Sequence, residues 1–332
     1  MMVRSAHSRA DSWQEDETLD FLREMNEMTL SITIDTLMRT ELSQDARDQV
    51  LRATPAVLQG LLTEVMYPTW MPKWVPLPGH RTFHRGSREL RDVFQHVIAS
   101  YRATDGGEGD DIFSLMCRAN DEETNYRMDD EQVKDEAVSF PLASTETTAS
   151  ALAWACYRLA KDPVLQQRVR DEAFAVLGDR DVEMADFNQL TFTDQVISEA
   201  LRLYAPAWVV MRRAIVDTHL GPYHVPKGTE IIFAPTAMHR DPDLYKDPLN
   251  FNPDRWHNVR PSALKEAYLP FGAGRRKCIG DGFARFEMTT AITTFVRKLH
   301  LELAEDANVE TKLFANLQPR GLKMRVRALV PA

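Results

Sequence analysis

The chain has 332 residues, 44% of them hydrophobic and 27% charged, which is enough apolar material for a sizeable core and excludes disordered, collagen-like and low-complexity classes. Its 40 Lys and Arg against 49 Asp and Glu leave a formal net charge of -9, which argues against a general nucleic-acid or membrane-surface binder. Three cysteines, Cys117, Cys156 and Cys278, cannot pair completely and show no Cys-x-x-Cys spacing, so neither a disulfide framework nor a cysteine zinc site is expected, and a reducing compartment fits.

The N-terminal MMVRSAHSRADSWQEDE is polar and mixed in charge, without the apolar centre of a signal peptide. No stretch offers the roughly 18 uninterrupted apolar residues of a spanning helix, so the expectation is a cytoplasmic protein with no membrane span. From Asp20 to about Val65, Phe21, Met25, Met28, Leu30, Ile34 and Leu37 recur at three- and four-residue spacing, which predicts two helices on a core. Tyr67 to Gly79 carries four prolines and is read as a loop; its Trp70 and Trp74 either cover an apolar opening or anchor a surface loop. A helical pattern follows from about His80 to Arg102, then a polar hinge from Gly106 to Asp111.

A long helix is predicted from about Asp129 to Lys161, interrupted only by Pro141, which removes one donor and distorts the ladder. Asp194 to Tyr204 is another helix. Val209 to Ile215 and Glu230 to Phe233 read as short strands flanking a turn that contains HVPKGT. Four of the fourteen glycines fall between Gly272 and Gly282, around Cys278, where backbone must come close to something; an amphipathic helix from Phe283 to about Leu299 closes the pattern. Asp110 and Asp111 in GDDIFSLM suggest a magnesium-binding pair, but the position of the next carboxylate is Ser114, and capping of a helix N-terminus explains them with less.

The segment FGAGRRKCIGDGFA places one cysteine in a glycine-rich loop directly before a helix, an arrangement that exposes a thiolate to a flat ligand while helix-end amides stabilise its charge. Arg275, Arg276 and Lys277 suit an anionic cofactor and an electron-carrying partner better than an inert core cysteine. Cys117 and Cys156, by contrast, read as small core hydrophobes.

These residues resemble the haem-binding loop of the cytochrome P450 family, F-x-x-G-x-R-x-C-x-G, with Phe271, Gly274, Arg276, Cys278 and Gly280 filling every specified position. The resemblance implies the mainly α cytochrome P450 fold with small β-sheets, as a single domain over residues 1–332, and haem b as cofactor. It makes Cys278 the axial ligand of the haem iron, pairs Arg276 with a propionate and packs Phe271 beside the sulfur. Glu199 and Arg202 in EALRLYAP match the family's E-x-x-R pair, and Arg255 in NFNPDRW matches the arginine that joins it to support the haem loop.

ASTETTAS resembles the oxygen-binding segment [AG]-G-x-[DE]-T-[TS] through Ala143, Glu146, Thr147 and Thr148. It implies Thr147 as proton-relay residue and Glu146 as its acid, although Ser144 stands where the family has glycine, and Pro141 is the alternative source of an oxygen groove. In PAWVVMRRA, Arg212 matches a second propionate-binding position, and Val209, Val210 and Met211 match a segment lining the substrate pocket; Phe140, Leu142 and Ala143 are expected to face that pocket. Apolar walls imply an apolar substrate.

The implied activity is haem-thiolate monooxygenation of a terpenoid or fatty-acid-like molecule by dioxygen. Electrons come from NAD(P)H through a separate ferredoxin or flavoprotein reductase, with Arg275, Lys277 and Arg285 as candidate docking charges. The resemblance also implies that the chain lacks the N-terminal portion of the fold. The alternative expectation is therefore a non-catalytic remnant unable to hold haem stably.

Overall fold

Side chains that repeat every three to four residues form one apolar stripe on a helix, and such stripes build most of this molecule. The computed structural model describes residues 1–37, 42–65, 77, 79–103, 111–121, 125–259, 264, 267–313 and 316–329; the loop tryptophans Trp70 and Trp74, Asp110 and most of the polar hinge lie outside them. In chain order the elements are α1 (Met2–Ser12), β1 (Thr18–Asp20), α2 (Phe21–Leu37), α3 (Gln44–Val65), α4 (His80–Ala103), α5 (Ile112–Arg118), β2 (Asn120–Asp121), β3 (Tyr126–Arg127) and α6 (Asp130–Lys161). They continue with α7 (Pro163–Leu177), α8 (Thr191–Leu203), β4 (Val210–Arg213), β5 (Thr218–Leu220), β6 (Tyr223–Val225), β7 (Glu230–Phe233), α9 (Pro235–Met238), α10 (Asp281–Lys298), β8 (Leu299–Leu303), β9 (Glu310–Leu313), β10 (Leu317–Arg320) and β11 (Lys323–Ala328).

The chain divides into two compact units, one of Met1–Gln14 with Asp20–Ala149 and one of Glu15–Leu19 with Ser150–Ala332. In the first, α4 buries Leu90, Val93, Phe94, Val97 and Ile98 along one face, and these pack with Val50, Ala53 and Val57 of α3 and Val133 and Ala137 of α6. One feature of this unit escaped the periodicity. Helix α1 has no apolar stripe in its sequence, yet it buries Met2, Ala6 and Ala10, and Arg9 donates to Glu24 and Glu27 at 3.0 Å each. Asp111 accepts from the Ser114 backbone N–H at 3.1 Å and its second oxygen takes the Tyr101 and Ser114 hydroxyls, so it serves as a helix-start residue for α5.

In the second unit, α7 was not apparent from apolar spacing. Its boundaries are nonetheless local: the Asp162 side chain accepts from the Val164 and Leu165 amides at 3.1 and 3.0 Å with Pro163 at the first turn, and Gly178 ends it. Helices α8 and α10 are buried over much of their length. The β content is small: a three-stranded sheet in the order β1, β11, β8 and the two-stranded pairs β10–β9, β4–β7 and β5–β6. In the antiparallel β4–β7 pair, Val210 faces Phe233 and Arg212 faces Ile231; the strand expected over Val209 to Ile215 is thus shorter, because the chain turns at Ala214 to Gly228 backbone bonds.

Candidate functional site

The loop before α10 is shaped by its own backbone. Gly272 and Gly274 take φ of 70° and 68°, a left-handed conformation that side chains disfavour, and the Cys278 N–H donates to the Phe271 carbonyl at 2.9 Å. This closes residues 271–278 into a turn that leaves Cys278 exposed. Gly280 follows, and a methyl group there would sit 3.8 Å from the Cys278 Sγ. The other cysteines differ as expected. Cys156 is fully buried and its thiol is pushed up by desolvation, and half-buried Cys117 is pushed up for the same reason.

The cations around this thiol divide into free and committed. Arg275 and Arg276 are exposed and have no partner among the described residues. Lys277 Nζ pairs with Asp281 at 2.5 Å and, through that hydrogen bond first, holds the Asp281 carboxyl below its ordinary range. Arg285 corrects an expectation: it is not a surface docking charge. Its guanidinium reaches Asp194 at 2.7 Å and the Ser198 and Tyr268 hydroxyls at 3.2 and 3.4 Å, and it lies 5.7 Å from the centre of the Phe271 ring. Across the second unit, Arg212 is exposed on β4, with one donor on the Met211 carbonyl at 2.8 Å; Val209 and Val210 are half-buried and Met211 is exposed.

Behind the loop lies a buried polar network. Glu199 and Arg202, three apart on α8, are 0% exposed. Arg202 donates to both Glu199 oxygens at 2.9 and 2.8 Å, and Arg255 Nε adds a third bond at 3.0 Å. The Asn252 N–H at 2.9 Å and the Trp256 indole at 3.0 Å complete the set. Arg202 in turn caps the carbonyls of His239, Pro248 and Asn250 at 2.6, 2.7 and 3.2 Å.

Sequence reasoning missed the residues that carry this network to the cysteine loop. His239 is buried; its Nδ1 donates to the Arg202 carbonyl at 3.2 Å, and its Nε2 accepts from the Leu269 N–H at 2.9 Å. Burial pulls its pKa down to about 4, consistent with a neutral ring acting as donor on one side and acceptor on the other. Tyr268 donates to the Ser198 carbonyl at 3.0 Å and packs on Trp256 and His239. The sole sequence signal was MHRDP, a stretch with no recognisable role until the fold places His239 against Leu269.

In the first unit, α6 runs through Pro141 without a break. Ser144 does not crowd the helix face outward: its hydroxyl bonds the Phe140 carbonyl at 2.7 Å and meets Thr33 of α2 at 2.8 Å. Thr29 donates to the Thr145 carbonyl at 3.2 Å, so α2 is stitched to this stretch. Thr147 donates back to the Ala143 carbonyl at 2.6 Å, and Glu146 beside it is buried. Phe140 and Leu142 pack on the core of α3 and α4, whereas Ala143 is exposed.

An exposed thiol in a left-handed glycine turn, two uncommitted arginines beside it and a rigid buried network anchoring the segment fit a flat, anionic, sulfur-ligated group. The family model described as Cytochrome P450 matches residues 1–325. This chain belongs to the cytochrome P450 family. It is a haem-dependent oxidoreductase of the monooxygenase kind and has the P450 fold. Cyclooctatin synthase of Streptomyces melanosporofaciens is 32% identical over 325 residues, covering 98% of this P450 and 71% of that protein. Pentalenene oxygenase of Streptomyces avermitilis is 33% identical over 324 residues, covering 97% and 72%. The solved structure of retinoic acid-bound cyanobacterial CYP120A1 superposes with a TM-score of 0.86 at 24% identity, over 99% of this chain and 74% of that one. Among the described residues, no helix is long and apolar enough to cross a membrane.

Proposed function

We propose that this P450, acting as a single domain, inserts one atom of dioxygen into an apolar small molecule of terpenoid or fatty-acid-like character, using electrons from NAD(P)H relayed by a separate ferredoxin or flavoprotein reductase in the cytoplasm. The observation that carries the reading is the Cys278 turn, whose thiol is exposed while the segment behind it is fixed by His239 and Tyr268. Bound there, haem supplies reductive activation of dioxygen, and thiolate ligation favours O–O cleavage. Cys278 is the ligand, Arg276 and Arg212 hold propionates, and Phe271, Gly274 and Gly280 shape the turn.

The triad Glu199, Arg202 and Arg255 keeps that turn in register. Thr147 and Glu146 handle protons: with its own hydrogen engaged by Ala143, the Thr147 oxygen presents lone pairs that accept from a water. Val209, Val210 and Met211 contact substrate from the second unit, and on α6 that role falls to the exposed Ala143, since Phe140 and Leu142 pack on the core of α3 and α4. The names of the two Streptomyces relatives support the terpenoid-like choice.

The test is the carbon monoxide difference spectrum of the reduced, haem-loaded chain. The long-wavelength Soret band of thiolate-ligated haem is expected and should vanish in Cys278→Ala. The same band in that variant, or no haem in the unaltered chain, overturns the reading.

A further inference from the structure

Helices α3 and α4 approach each other unusually closely at one end. A Cβ on Gly60 would lie 2.5 Å from the Phe83 Cβ and 3.0 Å from the Gly79 carbonyl oxygen, so only glycine permits this contact. One turn beyond Gly60 on α3 is Glu64, and on either side of Phe83 on α4 are His80 and His84, which the i, i+4 spacing puts on one face. The crossing therefore brings an acid and two imidazoles together.

Their geometry is that of a ligand set. The two Nε2 atoms are 3.0 Å apart, and the rings meet edge to face with centroids 4.2 Å apart. Two nitrogen ligands at about 2.0–2.1 Å from a tetrahedral zinc ion lie roughly 3.3 Å from each other, so a small movement admits a metal between them. Glu64 Oε1 is 2.5 Å from His80 Nδ1 and 3.6 Å from His84 Nε2. One donor atom from each of the three lies within 4.8 Å of the others. Glu64 Oε1 and His80 Nδ1 are shielded from solvent, which removes the competition of bulk water for this contact.

We propose that Glu64, His80 and His84 form a binding site for a divalent transition cation of the zinc class. The His80 and His84 Nε2 atoms ligate, while the Glu64 carboxylate neutralises charge and orients His80 through Nδ1, as carboxylates behind metal-bound histidines do. The two imidazole donors suit zinc and its first-row neighbours rather than magnesium or calcium, which prefer oxygen ligands. The i, i+4 histidine pair on one helix is a spacing zinc sites use. A bound ion ties the C-terminal end of α3 to the N-terminal end of α4 through the Glu64–His80 contact and leaves two of the four tetrahedral positions for water or other donors.

The experiment uses the haem-loaded 332-residue chain, freed of loosely held metal with a chelator and equilibrated by dialysis against zinc. Bound zinc is measured by elemental analysis and its shell by zinc-edge X-ray absorption. One zinc per chain with nitrogen neighbours at about 2.0–2.1 Å is expected. His84→Ala and His80→Ala should each weaken binding at least about tenfold, and Glu64→Gln about tenfold to a hundredfold by loss of the orienting carboxylate. His84 is exposed, so its replacement keeps the helix content, which circular dichroism verifies. No stoichiometric zinc in the unaltered chain, or an affinity in His84→Ala and Glu64→Gln unchanged from that of the unaltered chain, overturns the proposal.

Discussion

Two glutamates in the second unit, Glu199 on α8 and Glu287 on α10, are both completely buried, and the fold treats them in opposite ways. Glu199 accepts five hydrogen bonds, three of them from arginine. Neither oxygen of Glu287 has a hydrogen-bond partner among the described residues, and desolvation raises its pKa well above the ordinary carboxyl range. Burial alone therefore does not define what a buried acid does; the donors aimed at it do. With donors, the acid joins α8, the Asn252–Trp256 stretch and Arg202 into one framework. Without them its neutral form is favoured by desolvation, as for any polar side chain in an apolar place.

The largest effect should come from breaking the first case. Glu199→Ala leaves Arg202 and Arg255 facing an empty position, one of them fully buried, which costs about 3–5 kcal/mol. The haem content of the folded fraction should fall with it, because Arg202 also caps the His239 carbonyl behind the cysteine loop. Urea titration and haem quantification check both, and a loss under about 1 kcal/mol would place Glu199 in the same class as Glu287.

His239 gives the next effect, through acid. Its folded pKa of about 4 lies below its ordinary 6.5, so the stability from the neutral ring is complete above pH 6.5 and is lost as pH falls toward 4. The linked loss approaches roughly 3 kcal/mol. His239→Gln, whose amide offers one donor and one acceptor but does not titrate, should flatten that part of the stability-pH profile. An unchanged acid limb in this variant removes His239 as its cause.

Glu287 should show the smallest effect and the opposite sign. Its folded pKa is raised, so the protonated form is favoured by the fold at low pH and its contribution erodes as pH rises above the ordinary 4.5. Glu287→Gln should be close to neutral near pH 4 and become relatively more stable than the unaltered chain toward pH 8. Parallel thermal unfolding at both pH values measures this. A difference that does not grow with pH would mean that unseen donors serve Glu287 after all.

Much of the fold and part of the candidate site was legible in the chain. Helices α2, α3, α4, α8 and α10 carry apolar residues at helical spacing, and the glycine cluster around Cys278 marks a turn because left-handed backbone needs glycine whatever surrounds it. Glu199 and Arg202 share a helix face by their three-residue interval alone. Helix α1 was missed because its buried side chains are mostly small alanines, and its polar face is satisfied by Glu24 and Glu27 of another helix. Arg285 was misjudged since a charge beside a basic run looks solvent-facing until Asp194 and Tyr268 are placed against it.

The sequence by itself determined what depends on neighbours within a turn or two: helical faces, the glycine-rich turn, the Asp162–Pro163 helix start and the type of ligand Cys278 offers. Only the tertiary structure decided which distant groups meet. His239 comes to bridge Arg202 and Leu269, Glu287 is buried without donors, and Glu64 meets His80 and His84 because Gly60 lets two helices cross closely. Backbone geometry propagates over a few residues, whereas the partners of a buried polar group are set by how whole elements pack, and that information is spread over the entire chain.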